Sequence, residues 1–297
     1  MTQYKDTLLT AIAPLFWGTT YLVTTQLLPP DRPFFLALMR ALPVGLVLLL
    51  ITRDLPKGIW IWRSALLGVA NFTAFFPLLF LAAYRLPGGV AAMLGALSPL
   101  IVLCLARWML GTRVQLVAVL MGFLGVFGVS LVVLRANAQL DTIGILAALC
   151  ATTMMATATV LIKKWGLPTS PLNFTAWQLT AGGLLLIPIT LLLEGLPNTL
   201  TLQHWLGFAY LDIVNTGLSY YFWFRGISKL APTIPPFLSL LSPVVAVLLG
   251  WMVLQQALSL WQILGVALIL CAIIGVQFVN LNKSEIVLSK IEPSTQN

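Results

Sequence analysis

Two stretches of this sequence carry the same pattern: ALLGVANFTAFFPLLFLAAYRLPGGVAAMLGALSP at residues 65–99 and AYLDIVNTGLSYYFWFRGISKLAPTIPPFLSLLSP at residues 209–243. They align without a gap at an offset of 144 residues (209 − 65). Shared leucines carry little weight in apolar sequences, but rarer residues also recur in the same order. These are Asn71/Asn215, Phe80/Phe224 and the triplet Leu97-Ser98-Pro99/Leu241-Ser242-Pro243.

The duplication extends towards the N-terminus. Pro33 and Gly45 recur as Pro171 and Gly183, at an offset of 138 (171 − 33). The chain is therefore predicted to consist of two related halves.

The composition indicates where these halves reside. Of the 297 residues, 60% are hydrophobic and 8% charged, and the mean hydropathy is +1.00. Globular domains carry about 25% charged residues. An ordinary soluble protein is therefore excluded, and an integral membrane protein is predicted.

Ten apolar stretches are long enough to cross the hydrocarbon core as helices, which takes about 20 residues each. Strands of a membrane barrel would alternate in hydrophobicity, and these stretches do not. The predicted spans are residues 8–28, 33–52, 64–84, 88–108, 114–134, 143–163, 171–193, 205–225, 232–254 and 260–281. The predicted fold class is an all-α integral membrane protein with ten transmembrane helices.

The ten spans place five helices in each half. Because five is odd, the halves must insert with opposite topology, an arrangement typical of secondary transporters with a substrate site near the middle of the membrane. We predict a first repeat at residues 1–136, a second at 137–281 and a disordered tail at 282–297. Spans 3, 4, 8 and 9 hold the best duplicated segments and are expected to form the pathway.

Basic residues predict the orientation. Of the 16 Lys and Arg residues, twelve fall on the side of the N-terminus, three on the opposite side, and Arg40 lies inside the second span. Cytoplasmic loops accumulate basic residues, so both termini are predicted to be cytoplasmic. The net charge of +8 is explained in this way without a nucleic-acid partner.

Cysteine and histidine usage predicts neither a disulfide framework nor a metal site. All three cysteines lie inside apolar runs, and their odd number argues against paired bridges. His204 is the single histidine, so the sequence offers too few ligands for a typical metal centre. No cofactor is expected.

Several motifs carry a family resemblance. The first span contains Trp17-Gly18-Thr19-Thr20-Tyr21, Pro33 and Arg40 follow it, and the second half contains LSPVVA at 241–246 and LQQ at 254–256. In this order they resemble the drug/metabolite transporter superfamily, in its EamA-type branch, over nearly the whole chain. The resemblance implies export or uptake of small metabolites such as amino acids. The family often has a glutamate where Thr112 and Gln256 stand, so this chain does without that acid.

Asp212 and Arg40 are the main candidates for transport chemistry. Asp212 is the one carboxylate well inside an apolar run, and Arg40 lies at similar depth in the second span. Because a charge in the bilayer is costly, such residues usually face a cavity or a partner. Asp212 is interpreted as a proton-binding or amine-binding group and Arg40 as its partner or a carboxylate anchor. The alternative is a structural ion pair that joins two helices.

Asn71 and Asn215 are duplicates that approach the middle of the membrane from opposite sides. An amide side chain both donates and accepts hydrogen bonds, so the pair suits a zwitterionic substrate. The alternative is that they join helices by hydrogen bonds worth about 0.6 kcal/mol each.

Pro99 and Pro243 occupy duplicated positions within spans and are candidate hinges. A proline lacks the N–H that would bind the carbonyl four residues earlier, here that of Gly95 and Ser239. Such freed carbonyls bind substrate or permit bending, and we include the neighbouring Ser98 and Ser242 as substrate-binding candidates. The alternative is a fixed kink satisfied by those serines or by water.

Aromatic residues offer faces for an amphipathic or cationic solute. Trp17 and Tyr220 are the best candidates for the cavity wall, although most aromatics in such chains serve packing or the membrane interface.

The leading functional hypothesis is a secondary transporter that exports small metabolites, amino acids or related compounds first, by alternating access, with or without proton coupling. An uncoupled facilitator and a multidrug or amine exporter of the same fold are alternatives. An intramembrane enzyme is remote, because the spans lack paired acids, a serine with a base and a histidine cluster. The expected partners are a small-molecule substrate and the lipid bilayer of the bacterial inner membrane, with a monomer or homodimer as the assembly.

Overall fold

The protein is a bundle of ten helices without strands, within residues 2–86, 92, 94–133, 141–253, 255 and 259–291, which its computed structural model describes. Several helices are interrupted, and we name each by its place in the chain. They are α1 (Thr2–Trp17 and Thr20–Leu27), α2 (Pro33–Thr52), α3 (Ile59–Gly68, the π-helical Val69–Thr73, and Phe75–Arg85), α4 (Ser98–Leu110), α5 (Leu116–Val133), α6 (Thr142–Trp165), α7 (Pro171–Leu193), α8 (Leu202–Tyr210, the π-helical Leu211–Leu218, and Ser219–Lys229), α9 (Ile234–Leu238 and Leu241–Met252) and α10 (Leu260–Ile291). The predicted all-α membrane fold is confirmed.

Length and hydropathy agree with membrane insertion. Within the described residues, seven helices are long and apolar enough to cross a membrane, and Ser98–Leu110 and Leu116–Val132 are shorter apolar helices. The remaining helix, α8, carries Asp212 and several polar and aromatic residues. Its polar and aromatic residues suit the face that packs inside the bundle, whereas Leu206 and Ile213 are exposed on the outer face.

Helix α3 begins at Ile59, before the predicted start at residue 64. Its first turns carry Arg63, whose guanidinium carbon lies 5.1 Å from the ring centre of Trp60 and 4.9 Å from that of Trp165. The aromatic faces partner the cation, so the helix continues past its apolar stretch into the membrane interface. Helix α10 likewise continues to Ile291, beyond the predicted span end at 281. The disorder of the tail stays a prediction, and residues 292–297 and Gln256 lie outside the described residues.

Close helix packing shows the two-fold relation of the halves. On α2, a Cβ added to Gly45 would lie 2.5 Å from the backbone nitrogen of Thr180; on α7, one added to Gly183 would lie 2.7 Å from the Cα of Leu42. Residues 42 and 180 are themselves related by the offset of 138, so each half presents the same surface to the other. The halves are inverted repeats that meet through α2 and α7.

The glycine at this crossing is expected to be necessary for stability. In Gly45→Ala the new methyl would meet backbone atoms of α7 at 2.5 to 2.8 Å, and backbone cannot move aside as a side chain does. Overpacking of this kind costs about 1.5 kcal/mol, and we expect a melting temperature in detergent about 4 °C lower. Gly95→Ala is the matched control, because its methyl would meet nothing within 4 Å. Equal melting of the two variants would contradict the close crossing.

The halves also interlock. Helix α6, the first of the second half, packs against α3 and α4, and α1, the first of the first half, packs against α8 and α9. We call α3, α4 and α6 the first bundle, and α1, α8 and α9 the second bundle. Two further close pairs remain: α2 packs against α7, and α5 packs against α10.

The α2 and α7 pair is tied at both membrane surfaces. At one end, the Glu194 carboxylate accepts the backbone N–H groups of Phe34 (2.9 Å) and Phe35 (2.8 Å) at the start of α2. At the other, Asp54, just after α2, accepts the Asn173 side-chain amide at 2.9 Å near the start of α7. Each carboxylate lies at a helix N-terminus, where a negative charge is favoured. This pair is therefore a fixed scaffold between the two bundles.

Candidate substrate site

The centre of the protein is built on two π-helical segments in matching places of the repeats. Val69–Thr73 lies in α3 and Leu211–Leu218 in α8, and the offset of 144 places the first within the second. A π-helical turn inserts a residue into the helix, breaks the regular i to i−4 pairing, and is frequent at functional sites. Each segment contains one duplicated asparagine, Asn71 or Asn215.

Asn71 is 2% exposed and donates through Nδ2 to Oε1 of Gln178 at 2.8 Å. Gln178 lies on α7 and is fully buried. This bond joins α3 of the first half to α7 of the second, as does the Thr73 hydroxyl, which donates to the Gly182 carbonyl at 2.9 Å.

Asn215 joins α8 to α1 through several hydrogen bonds. Its Nδ2 donates to the carbonyl of Phe16 (3.0 Å) and to the hydroxyls of Thr19 (3.2 Å) and Thr20 (2.8 Å). Its backbone carbonyl accepts the Trp17 indole N–H at 2.9 Å. The side chain is fully buried, and its amide is occupied by α1 in this conformation.

Arg40 is 3% exposed and lies between the halves. Its Nε donates to the Thr216 hydroxyl at 3.0 Å, and its Nη2 donates to the Asn215 carbonyl at 3.4 Å. The guanidinium carbon lies 4.6 Å from the ring centre of Phe76. These neutral contacts orient the cation without neutralising its charge.

Asp212 lies four residues before Thr216, the hydrogen-bond partner of Arg40, in the same π-helical segment, but it makes no ion pair with Arg40. The ion pairs among the described residues are Arg85 with Asp141 at 3.4 Å and Arg225 with Asp6 at 2.6 Å. Asp212 Oδ1 is buried and has no hydrogen-bond partner. A buried carboxylate oxygen without a donor is costly, so the site favours the arrival of a proton or a cationic group.

The two charged residues of the centre have neutral counterparts in the internal repeat. Offsets of 138 and 144 relate Arg40 to Gln178 and Asp212 to Gly68. The residue pairs obey the same symmetry, although the atoms differ. Arg40 donates to the backbone carbonyl of Asn215, whereas Gln178 accepts from the side-chain amide of Asn71. Both charges thus occupy positions that are neutral in the other half. The charge distribution of the centre is therefore asymmetric although the fold is pseudo-symmetric.

An aromatic cluster lies beside these charges. Tyr220 is 2% exposed, and its ring centre lies 5.2 Å from that of Trp17 and 4.8 Å from that of Phe72. Trp17 also lies 5.0 Å from Trp223. The predicted pair of Trp17 and Tyr220 is therefore brought together within the second bundle, next to Asn215.

The two duplicated prolines lie at helix breaks. Leu94 and Gly95 are helical, the chain turns at Ala96 and Leu97, and α4 then starts with Ser98 and Pro99. Each proline occupies the first turn of its helical segment, where its missing N–H costs nothing.

The equivalent break in α9 separates Ile234–Leu238 from Leu241–Met252 and places Ser242 and Pro243 in the same way. The Ser239 carbonyl accepts the backbone N–H of Ser242 at 3.1 Å. That carbonyl is therefore bonded within the break in this conformation.

Three further residues at the centre were not singled out by the sequence analysis. They are Thr216, which accepts from Arg40, Phe76, which lies against Arg40, and Gln178, which pairs with Asn71. For Gln178 a signal existed, because the offset of 138 from Arg40 leads directly to it. For Thr216 and Phe76 only the packing of α2 against α3 and α8 makes the connection.

A ten-helix membrane protein built from inverted repeats, with buried charges between them, belongs to the class of membrane transporters. The model of the EamA-like transporter family matches residues 6–134 and 142–278. The chain belongs to this family.

Relatives extend along most of the chain. It is 46% identical over 249 residues to Protein PecM of Dickeya dadantii (strain 3937), covering 83% of this chain and 84% of that protein. It is 30% identical over 265 residues to a chloroplastic WAT1-related protein of Arabidopsis thaliana, covering 84% and 64%. It is 29% identical over 275 residues to an uncharacterized transporter of Synechocystis, covering 84% and 83%.

A solved crystal structure has the same fold. It matches with a TM-score of 0.80 and 21% sequence identity, over 94% of this chain and 98% of that one. At this identity the likeness concerns the fold alone.

Proposed function

We propose that this transporter exports small zwitterionic metabolites, amino acids or related compounds, across the bacterial inner membrane by alternating access. Both termini lie in the cytoplasm in this proposal. Its support is the family membership, the inverted repeats and the charge pattern of the central site.

The carrying observation is that Arg40 and Asp212 lie near each other between the halves without forming an ion pair. The Arg40 guanidinium is held by Thr216 and Phe76, and its planar fork matches a carboxylate. Asp212 presents an oxygen without a donor, which suits an ammonium group. A zwitterion supplies both partners at once.

Asp212 is also the proposed coupling residue. With the site empty, a proton on the carboxylate relieves the cost of its burial, and an ammonium group does so when substrate is bound. Proton and substrate thus compete for one group. Exchange of this kind couples outward substrate movement to inward proton movement.

Neutralising Asp212 is expected to remove the response of transport to pH. The assay is efflux of a labelled amino-acid panel from proteoliposomes, with and without an imposed pH gradient. Asp212→Asn should lower efflux about tenfold, the effect of one lost charge-assisted hydrogen bond, and make the remainder insensitive to the gradient. Asp31→Asn is the matched control, because Asp31 is exposed in the loop before α2. Efflux from Asp212→Asn that still follows the gradient would overturn the coupling role.

A second candidate function is export of organic amines. Asp212 and the cluster of Trp17, Tyr220 and Trp223 together favour a cation with apolar parts. The same panel distinguishes the two, because an amine without a carboxylate does not need Arg40. Amine efflux that survives replacement of Arg40 would favour this second function.

A further inference from the structure

Lys163 connects the two bundles at the end of the protein that the charge pattern predicts to be cytoplasmic, here called the inner end. It lies on α6, in the first bundle. Its Nζ donates to the backbone carbonyls of Ser228 at 3.0 Å and Leu230 at 2.8 Å, at the end of α8 in the second bundle.

These carbonyls are strong partners for an ammonium group. The last carbonyls of a helix have no partner within the helix, and they carry the negative end of the helix dipole. A lysine side chain satisfies both needs. Lys163 is half-buried, so its bonds are shielded from water more than surface contacts are.

The opposite, outer end is arranged differently. The outer segment of α1, Thr20–Leu27, packs against α8 and α9, and it has no comparable packing with α3, α4 or α6 among the described residues. At the inner end, α6 and α8 pack against each other and carry the Lys163 bonds. The scaffold of α2 and α7, in contrast, is tied at both ends by Glu194 and Asp54. Within the described residues, which leave out 87–91, 93 and 134–140, the contact between the bundles thus differs between the two ends.

We propose that Lys163 is the latch of an inner gate. Its ammonium holds the first bundle to the end of α8 and closes the site to the cytoplasm. When the bonds to Ser228 and Leu230 break, the bundles separate at the inner end and the site opens there. This inference rests on the proposed transport function, whose alternating access requires one closed end in each state.

Thiol labelling tests this gate without any substrate. A reporter cysteine replaces Asp212 after the three native cysteines, which are free, have been changed to alanine. A charged, membrane-impermeant methanethiosulfonate is then added to either face of the membrane. In the background with Lys163 intact, labelling should proceed mainly from the outer face.

Lys163→Met is expected to raise the inner labelling rate about tenfold and to lower the outer rate, because it removes two partly water-screened, charge-assisted bonds and so shifts the equilibrium between states. Lys163→Arg keeps the donors and should resemble the background. Lys164→Met is the matched control, because Lys164 is the exposed neighbour on α6. Should Lys163→Met fail to elute as a folded protein, Lys163→Gln takes its place.

Three results would overturn the latch. They are an unchanged inner rate, an equal rise from both faces, and a reporter that reacts from neither face in any variant. A failed substrate panel would leave this test intact, because labelling reports access alone. Proposed function and proposed gate can therefore fail separately.

Discussion

Arg40→Met is expected to lower efflux about 100-fold while the protein remains folded. The guanidinium is buried and contacts Thr216, Asn215 and Phe76. Its charge is therefore available to a ligand in the central site and not to solvent at the surface. Removing one partner of a buried, hydrogen-bonded charge pair costs about 2 to 5 kcal/mol, here the pair formed with a substrate carboxylate. Methionine fills a similar volume without a buried charge, which limits the loss of stability. Arg40→Lys should also fail to transport well, because an ammonium cannot reproduce the planar fork.

The pseudo-symmetry supplies the control. Gln178 is the equivalent residue in the other half and carries no charge, so Gln178→Met should reduce efflux far less than Arg40→Met. A cycle with Asp212→Asn then separates binding from structure. Recovery of transport in the double variant Arg40→Met/Asp212→Asn would mean that the two residues merely compensate each other's charge.

The sequence predicts the ten-helix fold because the relevant information is local. Membrane helices need apolar stretches of sufficient length, and the duplication at residues 65–99 and 209–243 shows how five helices relate to the next five. The boundaries fail where helices continue into the interface, as at Arg63, because aromatic partners replace hydropathy there.

The interlocking of the halves is not available from the sequence. Symmetry requires that α1 and α6 occupy equivalent places, but not that each packs in the opposite half. That arrangement depends on which surfaces fit. A Cβ added to Gly226 of α8 would clash with Thr10 of α1, and one added to Gly144 of α6 would lie 2.7 Å from the Leu86 side chain, just after α3. Small residues indicate close packing without naming the partner.

The candidate site is predictable in its residue types and not in its contacts. A lone aspartate and a lone arginine in apolar spans stand out because a charge within the membrane is energetically costly. Their expected alternative, a direct ion pair, is not what the structure contains, since Arg40 binds Thr216 and the Asn215 carbonyl instead. A π-helical segment sets these contacts by rotating the residues that follow it. No simple sequence signal locates such a segment.

Asn215→Leu is expected to lower the melting temperature about 9 °C, and Asn71→Leu about 3 °C. The Asn215 amide donates to the Phe16 carbonyl and to the hydroxyls of Thr19 and Thr20, whereas the Asn71 amide donates to Gln178 alone. Leucine removes three hydrogen bonds at Asn215 and one at Asn71. At about 1 kcal/mol for each bond, the cost is about 3 kcal/mol for Asn215 and about 1 kcal/mol for Asn71. At about 3 °C per kcal/mol, melting in detergent resolves the difference.

The same pair of variants distinguishes a clamp from a substrate ligand. If Asn215 holds α1 against α8, Asn215→Leu should also disturb Trp17, whose indole N–H donates to the Asn215 carbonyl. In a background whose other tryptophans are replaced by phenylalanine, the fluorescence of Trp17 should shift towards the value in water. If the amide serves substrate instead, efflux should fall while melting and fluorescence stay unchanged. Asn71→Leu controls for the loss of an equivalent amide in the other half. If both variants lose the same melting temperature, the additional hydrogen bonds from Asn215 to α1 contribute nothing to stability. That result would contradict the role of Asn215 in holding α1 against α8.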